Sequence, residues 1–156
     1  MSEARTPAAA PVVPALAPLY SALSPVADLA LRVAAGGFLV PHGAQKLFGW
    51  LGGYGIDATG QFFAAKLGLP SGLALVAGLI EFAGGVALAL GLFTRIAAAL
   101  AFGLLAVAVV HVHLAAGFFW TSGGYEYPLL WAILVGTYVV KGGGRYSLDA
   151  AIGREI

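Results

Sequence analysis

The sequence contains no cysteine and very little charge. Of its 156 residues, 10% are Asp, Glu, Lys or Arg, whereas 60% are hydrophobic. The absence of cysteine excludes disulfides, thiolate metal ligands and iron–sulfur clusters held by this chain. Because soluble domains average about 25% charged residues, the small charge content predicts an integral membrane protein. The net charge of +1 gives no basis for binding nucleic acid.

Four apolar segments dominate the sequence, and each approaches the ~20 residues that a membrane-spanning helix needs. They cover approximately residues 25–41, 71–93, 95–117 and 127–140. We therefore expect an all-α integral membrane protein that folds as a four-helix bundle. The connection between the first two spans also predicts a short helix over residues 57–69, which Gly68 and Pro70 end. Its apolar face of Phe62, Phe63 and Leu67 favours a position along the outer membrane surface.

The sequence divides into a Pro/Ala-rich tail (1–24), the four-helix domain (25–150) and a short C-terminal tail (151–156). The first segment lacks the basic start and continuous apolar core of a cleavable signal peptide. Four spans would place both termini on the side that carries most of the basic loop residues: Arg5, Arg95, Lys141, Arg145 and Arg154. The excess of positive charge on cytoplasmic loops then predicts a multi-pass protein with both termini in the cytoplasm.

Charged residues inside the spans are the first candidates for a site. A carboxylate at the centre of a bilayer costs roughly 2.5–3.5 kcal/mol on insertion scales, so Glu81 needs a partner. Arg32 and Glu81 each lie about nine residues from the predicted segment ends at Pro41 and Gly72, and the rise of ~1.5 Å per residue puts them at similar depth. This predicts an Arg32–Glu81 ion pair. Asp28 lies one turn from Arg32, so the three residues are predicted to form an ion cluster.

Two interpretations of the cluster remain open: a structural element that fixes helix register, or the polar floor of a cavity that handles protons or binds a head group. Small residues at spacings of three and four around Glu81 predict that it faces a neighbouring helix rather than lipid. These residues are Ala74, Gly78, Gly85 and Ala89.

Polar residues also gather at the predicted outer ends of the spans and indicate a pocket at the mouth of the bundle. They are His42, Gln45, Lys46, His111, His113, Tyr125 and Glu126. His111 and His113 would project about 200° apart on a helix, so they cannot share one ion. A metal site of His42, His111 and Glu126 is geometrically conceivable, and two inward histidines could ligate haem. The sequence has no CxxCH motif, and we predict ordinary hydrogen-bonded histidines, no metal and no intrinsic cofactor.

Several motifs, taken together, resemble the DoxX family of small four-helix membrane proteins. The resemblance covers roughly residues 25–150. It rests on Arg32, Gly-Gly-Phe-Leu-Val-Pro-His-Gly-Ala-Gln-Lys-Leu-Phe-Gly-Trp (36–50), Gly-Leu-Ile-Glu-Phe-Ala-Gly-Gly (78–85), Gly-Leu-Phe-Thr-Arg (91–95), Tyr-Glu-Tyr-Pro (125–128) and Gly-Arg-Tyr-Ser-Leu-Asp (144–149). The Pro/Ala-rich segment before residue 25 lies outside the family pattern.

The resemblance implies a four-helix bundle in the bacterial inner (plasma) membrane, associated with quinone-linked or thiol-related oxidoreductases. The positions that match the family motifs are Arg32, His42, Gly43, Gln45, Lys46, Glu81 and Glu126. A quinone carbonyl needs a hydrogen-bond donor, for which His42, Lys46 and His111 are candidates.

We therefore expect a membrane subunit associated with an oxidoreductase, with quinone as the candidate ligand. Membrane lipid and other protein subunits are the expected partners, and any enzymatic role is at most that of a subunit. The alternative is a non-catalytic structural or assembly subunit of a larger membrane complex. A small transporter is disfavoured because the sequence shows no inverted repeat.

Overall fold

A computed structural model of the protein describes residues 9–155, and every regular element in that range is a helix. The helices are α1 (Ala17–Gly37), α2 (Leu39–Phe48), α3 (Gly55–Leu67), α4 (Leu73–Leu90), α5 (Thr94–Ala116), α6 (Glu126–Lys141) and α7 (Leu148–Ile152). A π-helical turn, Ile80–Gly84, interrupts α4, and a second, Ala108–His113, lies near the end of α5. Short 3₁₀ turns occupy Pro14–Leu16, Trp50–Gly52 and Trp120–Ser122.

Within the described residues, three helical stretches are long and apolar enough to cross a membrane: Pro14–Phe48, Leu73–Leu90 and Thr94–Ala116. The helix α6 has 16 residues, a length of ~24 Å, and packs antiparallel along α5. The expectation of an all-helical protein with long apolar helices is confirmed. A short helix, α3, is present in the connection before α4. The crossing of the membrane by α6 and the surface position of α3 stay predictions.

The first apolar segment is longer than the sequence pattern indicated. Its helix begins at Ala17, inside the segment predicted as a tail, and continues beyond Pro41 to Phe48. Pro18 is tolerated because it falls in the first turn, where a backbone N–H has no helical acceptor. Pro41 lies in the first turn of α2 and cannot donate to the carbonyl of Gly37, which explains why the helix breaks at Phe38.

Small side chains dominate the core where the long helices meet. The buried core cluster consists of Ala35, Leu39, Leu88, Ala97, Ala98, Ala101, Val135 and Tyr138. Large apolar side chains such as Leu31, Val76 and Leu100 are instead about half exposed on the outside of the helices. This distribution is typical of helices that associate through small residues while lipid covers their outer surface.

Two glycines bring the first helices into backbone contact with α4. A Cβ atom at Gly36 would overlap the carbonyl oxygen of Gly85 and lie 2.5 Å from the amide nitrogen of Ala89. A Cβ atom at Gly43 would overlap the amide nitrogen of Phe82. These contacts confirm that the small-residue face of α4 packs against another helix.

Gly36→Ala is expected to destabilise the protein although alanine is the better helix former. The gain in helix propensity is about 1 kcal/mol, but the new methyl group meets backbone atoms that cannot rotate away. Overpacking of this kind costs about 1–3 kcal/mol, so the melting temperature in detergent should fall by several degrees. Gly37→Ala is the matched control, since its added Cβ would have nothing within 4 Å. Equal melting temperatures for the two variants would contradict the close approach.

Candidate functional site

The charged residues of the bundle form two separate sites. One lies at the terminal end, where the α4–α5 turn meets residues 142–155; the other lies toward the loop end, which carries residues 49–72 and 117–125. Arg32 belongs to the first site and Glu81 to the second. The predicted Arg32–Glu81 ion pair is therefore wrong.

The error has a simple geometric cause. The predicted depth of Arg32 was counted from Pro41, but the helical stretch continues to Phe48. Arg32 consequently packs beside Leu88 and Ala89, about two turns along α4 from Glu81. Asp28 does not complete a cluster with these two residues either, because its carboxylate pairs with Lys141.

The guanidinium of Arg32 joins three segments at the terminal end. It is 1% exposed, and its Nη1 donates to the carbonyl oxygens of Leu88 at 3.0 Å and Ala89 at 2.7 Å. Its Nη2 donates to the carbonyl oxygen of Tyr146. The first two acceptors lie at the C-terminus of α4, where the helix dipole favours a positive charge. The geometry indicates a structural clamp between α1, α4 and the C-terminal segment.

Asp149 caps α5 from outside that helix. Its Oδ1 accepts from the amide of Phe93 at 2.8 Å, while its Oδ2 accepts from the amide and hydroxyl of Thr94 at 2.9 and 2.6 Å. Phe93 has a φ of +47° and offers no capping side chain. Asp149 therefore satisfies amides that the first turn of α5 leaves free.

Asp149 was predicted only as the last residue of the family-like motif at residues 144–149, with no role. One signal could have exposed its role: α5 starts after Gly-Leu-Phe, which contains none of the usual capping residues.

Burial raises the pKa of the Asp149 carboxyl. The hydrogen bonds from Thr94 and Phe93 and the charge of Arg32 lower the pKa by more than burial raises it, so the pKa lies below its usual value. Ionised Asp149 thus favours the folded state above about pH 4, the pKa of an unperturbed aspartate. This contribution is lost as the pH falls through the lower, folded-state pKa.

We expect Asp149→Asn to lower the melting temperature at pH 7, because an amide presents one acceptor oxygen to three donors. The parent should lose more stability than the variant when the pH is lowered from 7 to 3. Thermal unfolding in detergent at both pH values tests this. Parallel losses in the two proteins would show that Asp149 does not carry the acid sensitivity.

Lys46 and Glu81 form the second site. The Nζ of Lys46 lies 2.9 Å from Oε1 and 2.6 Å from Oε2 of Glu81, a two-pronged ion pair between α2 and the π-helical turn of α4. The two side chains are 25% and 11% exposed, in contrast to the enclosed Arg32. The π-helical turns of other proteins are frequently found at functional sites.

The histidines at the end of α5 bind different loop-end segments. His111 Nε2 lies 2.7 Å from the carbonyl oxygen of Leu67, the last residue of α3, and His113 Nδ1 lies 2.7 Å from that of Gly123. A carbonyl oxygen accepts only, so each of these ring nitrogens donates. The two rings fasten α3 and the loop before α6 to the end of α5.

The remaining predicted site residues do not converge on one pocket. Gln45 Nε2 donates to the carbonyl oxygen of Leu51 at 3.2 Å, and Glu126 Oε2 accepts from the amide of Trp120 at 3.1 Å. His42 is exposed on α2. Of the residues predicted at the bundle mouth, the structure joins Lys46 directly to Glu81 and His111 to the end of α3, while Gln45 and Glu126 contact the loops next to their own helices.

Comparison with known proteins gives the family. The sequence profile of the DoxX family matches residues 27–114. The chain is 35% identical over 125 residues to the "Putative oxidoreductase CatD" of Bacillus subtilis (strain 168), an alignment that covers 80% of this chain and 85% of that protein.

It is also 35% identical over 122 residues to an "Uncharacterized protein" of Haemophilus influenzae (strain ATCC 51907 / DSM 11121 / KW20 / Rd), with 76% and 85% of the two chains covered. No solved structure gives a significant match. The family match and the long apolar helices together show that this chain is a multi-pass membrane protein of the DoxX family.

Proposed function

We propose that the protein is a membrane subunit of an oxidoreductase and that it binds the head group of a quinone at Lys46 and Glu81. The observation that carries the proposal is the Lys46–Glu81 ion pair, which is partly exposed although both residues lie in long apolar helices. Ionisable residues inside a membrane are costly and typically mark a ligand or proton site. The name of the Bacillus subtilis relative, a putative oxidoreductase, supports the association with oxidoreduction.

The chemistry of the pair fits a quinone. A quinone presents two carbonyl acceptors on an apolar ring, and the ammonium of Lys46 can donate to one of them while Glu81 holds its position. The carboxylate can in turn accept a hydrogen bond from the hydroxyl of the reduced form. Because the chain has no cysteine, it holds no iron–sulfur cluster or thiol relay. Electrons would therefore pass to or from a group carried by a partner subunit.

The proposed location is the bacterial inner membrane, with α1–α2, α4, α5 and α6 as four spans. The terminal end then faces the cytoplasm together with Arg95, Lys141, Arg145 and Arg154, in accord with the positive-inside rule. The Lys46–Glu81 pair lies toward the opposite, loop end. We propose that α3 lies along the outer membrane surface.

A binding measurement tests the proposal. We expect a short-chain ubiquinone analogue to bind the purified protein saturably in lipid nanodiscs, and Lys46→Met or Glu81→Gln to weaken binding at least about tenfold, the equivalent of 1.4 kcal/mol. Lys66→Met is the matched control, because Lys66 is an exposed lysine on α3. Absence of saturable binding to the parent, or equal binding by all variants, would refute the quinone site.

A second candidate, a structural subunit of a larger complex, is favoured by the outer surface of α1. That surface carries an apolar groove of about 610 Å³, in which the small residues Ala30, Ala34 and Gly37 are flanked by the larger Val26, Leu29, Val33 and Phe38. Small residues are the usual contact surface for another membrane helix. Native mass spectrometry distinguishes the two functions: a stoichiometric complex without quinone supports the structural subunit, and a co-purifying quinone or redox subunit supports the first proposal.

A further inference from the structure

The first part of α1 extends beyond the other long helices. The carboxylate of Asp28 pairs with Lys141, the last residue of α6, so the residues before Asp28 lie past the end of that helix. The helical stretch begins at Pro14, which gives the extension, residues 14–27, a length of ~21 Å. Its large apolar side chains are uncovered: Leu19, Tyr20 and Leu23 are each at least half exposed.

Seven residues on the outer side of α1 repeat at alternating spacings of three and four. This spacing, with a mean of 3.5 residues, places them on one continuous stripe. The stripe starts in the extension and continues into the apolar groove on the outer surface of α1. It points away from the bundle, because the buried Arg32, Ala35 and Gly36 lie on the opposite face. The residues of this outer stripe are Leu16, Leu19, Leu23, Val26, Ala30, Val33 and Gly37.

Contact with lipid does not account for the whole stripe. Charged side chains are costly inside lipid, so Asp28, Arg95 and Lys141 mark the membrane surface at the terminal end, and the extension lies beyond it. In the extension the large apolar residues stay on or beside the outer stripe, whereas Ser21 and Ser24 lie on the other side of the helix. An amphipathic helix of this kind buries its apolar face against another protein surface.

We propose that the outer stripe packs against the same stripe of a second copy of this chain, so that the protein is a parallel homodimer in the membrane. Two copies inserted with the same topology have parallel α1 helices, and identical residues then meet across a two-fold axis. The stripe is ~32 Å long and covers three heptads, the length over which an apolar heptad repeat predicts a coiled coil.

Charge and size both favour an identical partner. The described residues before Asp28 carry no charge, so two copies meet along the extension without repulsion between like charges. The larger residues Leu19 and Leu23 lie in the extension, where apolar residues at heptad positions pack coiled coils. The small residues Ala30 and Gly37 lie where the two bundles come together, and small residues allow helices to approach closely within a membrane.

Cross-linking tests the contact directly, because the chain has no native cysteine. Leu19→Cys and Ser21→Cys are introduced separately; the two positions have a similar height but project ~200° apart on the helix. Mild oxidation in native membranes should give at least about tenfold more covalent dimer for Leu19→Cys, because a disulfide requires Cα atoms within ~7 Å of each other. Equal cross-linking of the two variants, or none of either, would overturn pairing through the outer stripe.

Subunit counting gives a second readout. Single-molecule photobleaching in liposomes should find the parent dimeric and the double variant Leu19→Glu/Leu23→Glu monomeric, because like charges would face each other across the two-fold axis. Ser21→Glu/Ser24→Glu is the matched control, since it adds the same charge on the other side of the helix and should stay dimeric. An unchanged melting temperature in both variants would show that the bundle itself is intact. A monomeric parent, or a dimer that survives the Leu19→Glu/Leu23→Glu change, would refute the proposal.

The homodimer does not depend on the quinone site, because Lys46 and Glu81 lie on α2 and α4. Binding of the short-chain ubiquinone analogue is therefore measured on the parent and on the monomeric variant, and equal affinity is expected. A parent that binds the analogue but is monomeric would overturn the homodimer and leave the quinone site intact. A dimeric parent that binds no analogue would do the reverse. A parent that pairs through Leu19 with a different subunit, and never with itself, would also contradict the homodimer.

Discussion

Replacing Arg32 with leucine is expected to lower the melting temperature by about 6–20 °C, the largest effect of any single substitution considered. The variant leaves the carbonyl oxygens of Leu88, Ala89 and Tyr146 without their donor. It also removes a positive charge that favours the ionised form of Asp149. Removing one partner of a buried ionic arrangement costs about 3–5 kcal/mol, and each kcal/mol corresponds to about 2–4 °C in a domain of this size.

Arg32→Lys should fall between the parent and the leucine variant, because an ammonium keeps the charge but cannot span three acceptors in a plane. Arg145→Leu is the control: Arg145 is exposed, and its guanidinium carbon lies 5.7 Å from the ring centroid of its neighbour Tyr146. Thermal unfolding in detergent, with the folded yield from membranes as a second readout, provides the measurement. A leucine variant as heat-stable as the parent would show that the clamp does not hold the bundle together.

The second large effect is expected at the loop-end ion pair. Glu81→Leu should destabilise the protein by a few kcal/mol, because the ammonium of Lys46 then lies among apolar helices without its partner. Lys46→Met should do the same to Glu81, the more enclosed of the two. The double variant should recover most of the loss, since replacing a buried pair with apolar residues is often neutral or stabilising.

A double-mutant cycle measured by thermal unfolding isolates the interaction between the two side chains. A coupling energy above about 1 kcal/mol supports a direct pair. Strictly additive losses would mean that the two residues are stabilised independently. The cycle is also a check on the binding experiments, because it shows how much of any lost quinone affinity reflects a less stable protein.

The helical class of the fold could be predicted from the sequence because lipid imposes a simple rule. Backbone groups inside a bilayer must bond within their own segment, so long apolar runs become helices. The ends of those helices were harder to predict. Pro18, Pro25 and Pro41 suggested boundaries, yet the structure places Pro18 and Pro41 in first turns and Pro25 within α1. A proline ends a helix only where its missing N–H and its ring matter.

The sequence identified Lys46 and Glu81 as candidate site residues, but it did not predict that they form an ion pair with each other. The sequence correctly indicated that Glu81 faces a neighbouring helix, because the small residues around it mark the packed face of α4. It could not identify Lys46 as the partner, because depth was counted from an assumed helix end and Lys46 was assigned to a loop. The cap provided by Asp149 depends on contacts 55 and 56 residues apart, which local patterns do not encode.

The clamp at Arg32 has a consequence for biosynthesis. Arg32 emerges from the ribosome early, but its acceptor at Tyr146 is 114 residues further along the chain. Asp149, which caps the start of α5, likewise follows Thr94 by 55 residues. The guanidinium of the first helix consequently lacks one of its three acceptors until residue 146 has been synthesised. A chain truncated before residue 146 lacks both this acceptor and the Asp149 cap, so its first helix and the start of α5 are held less firmly than in a chain that includes Asp149.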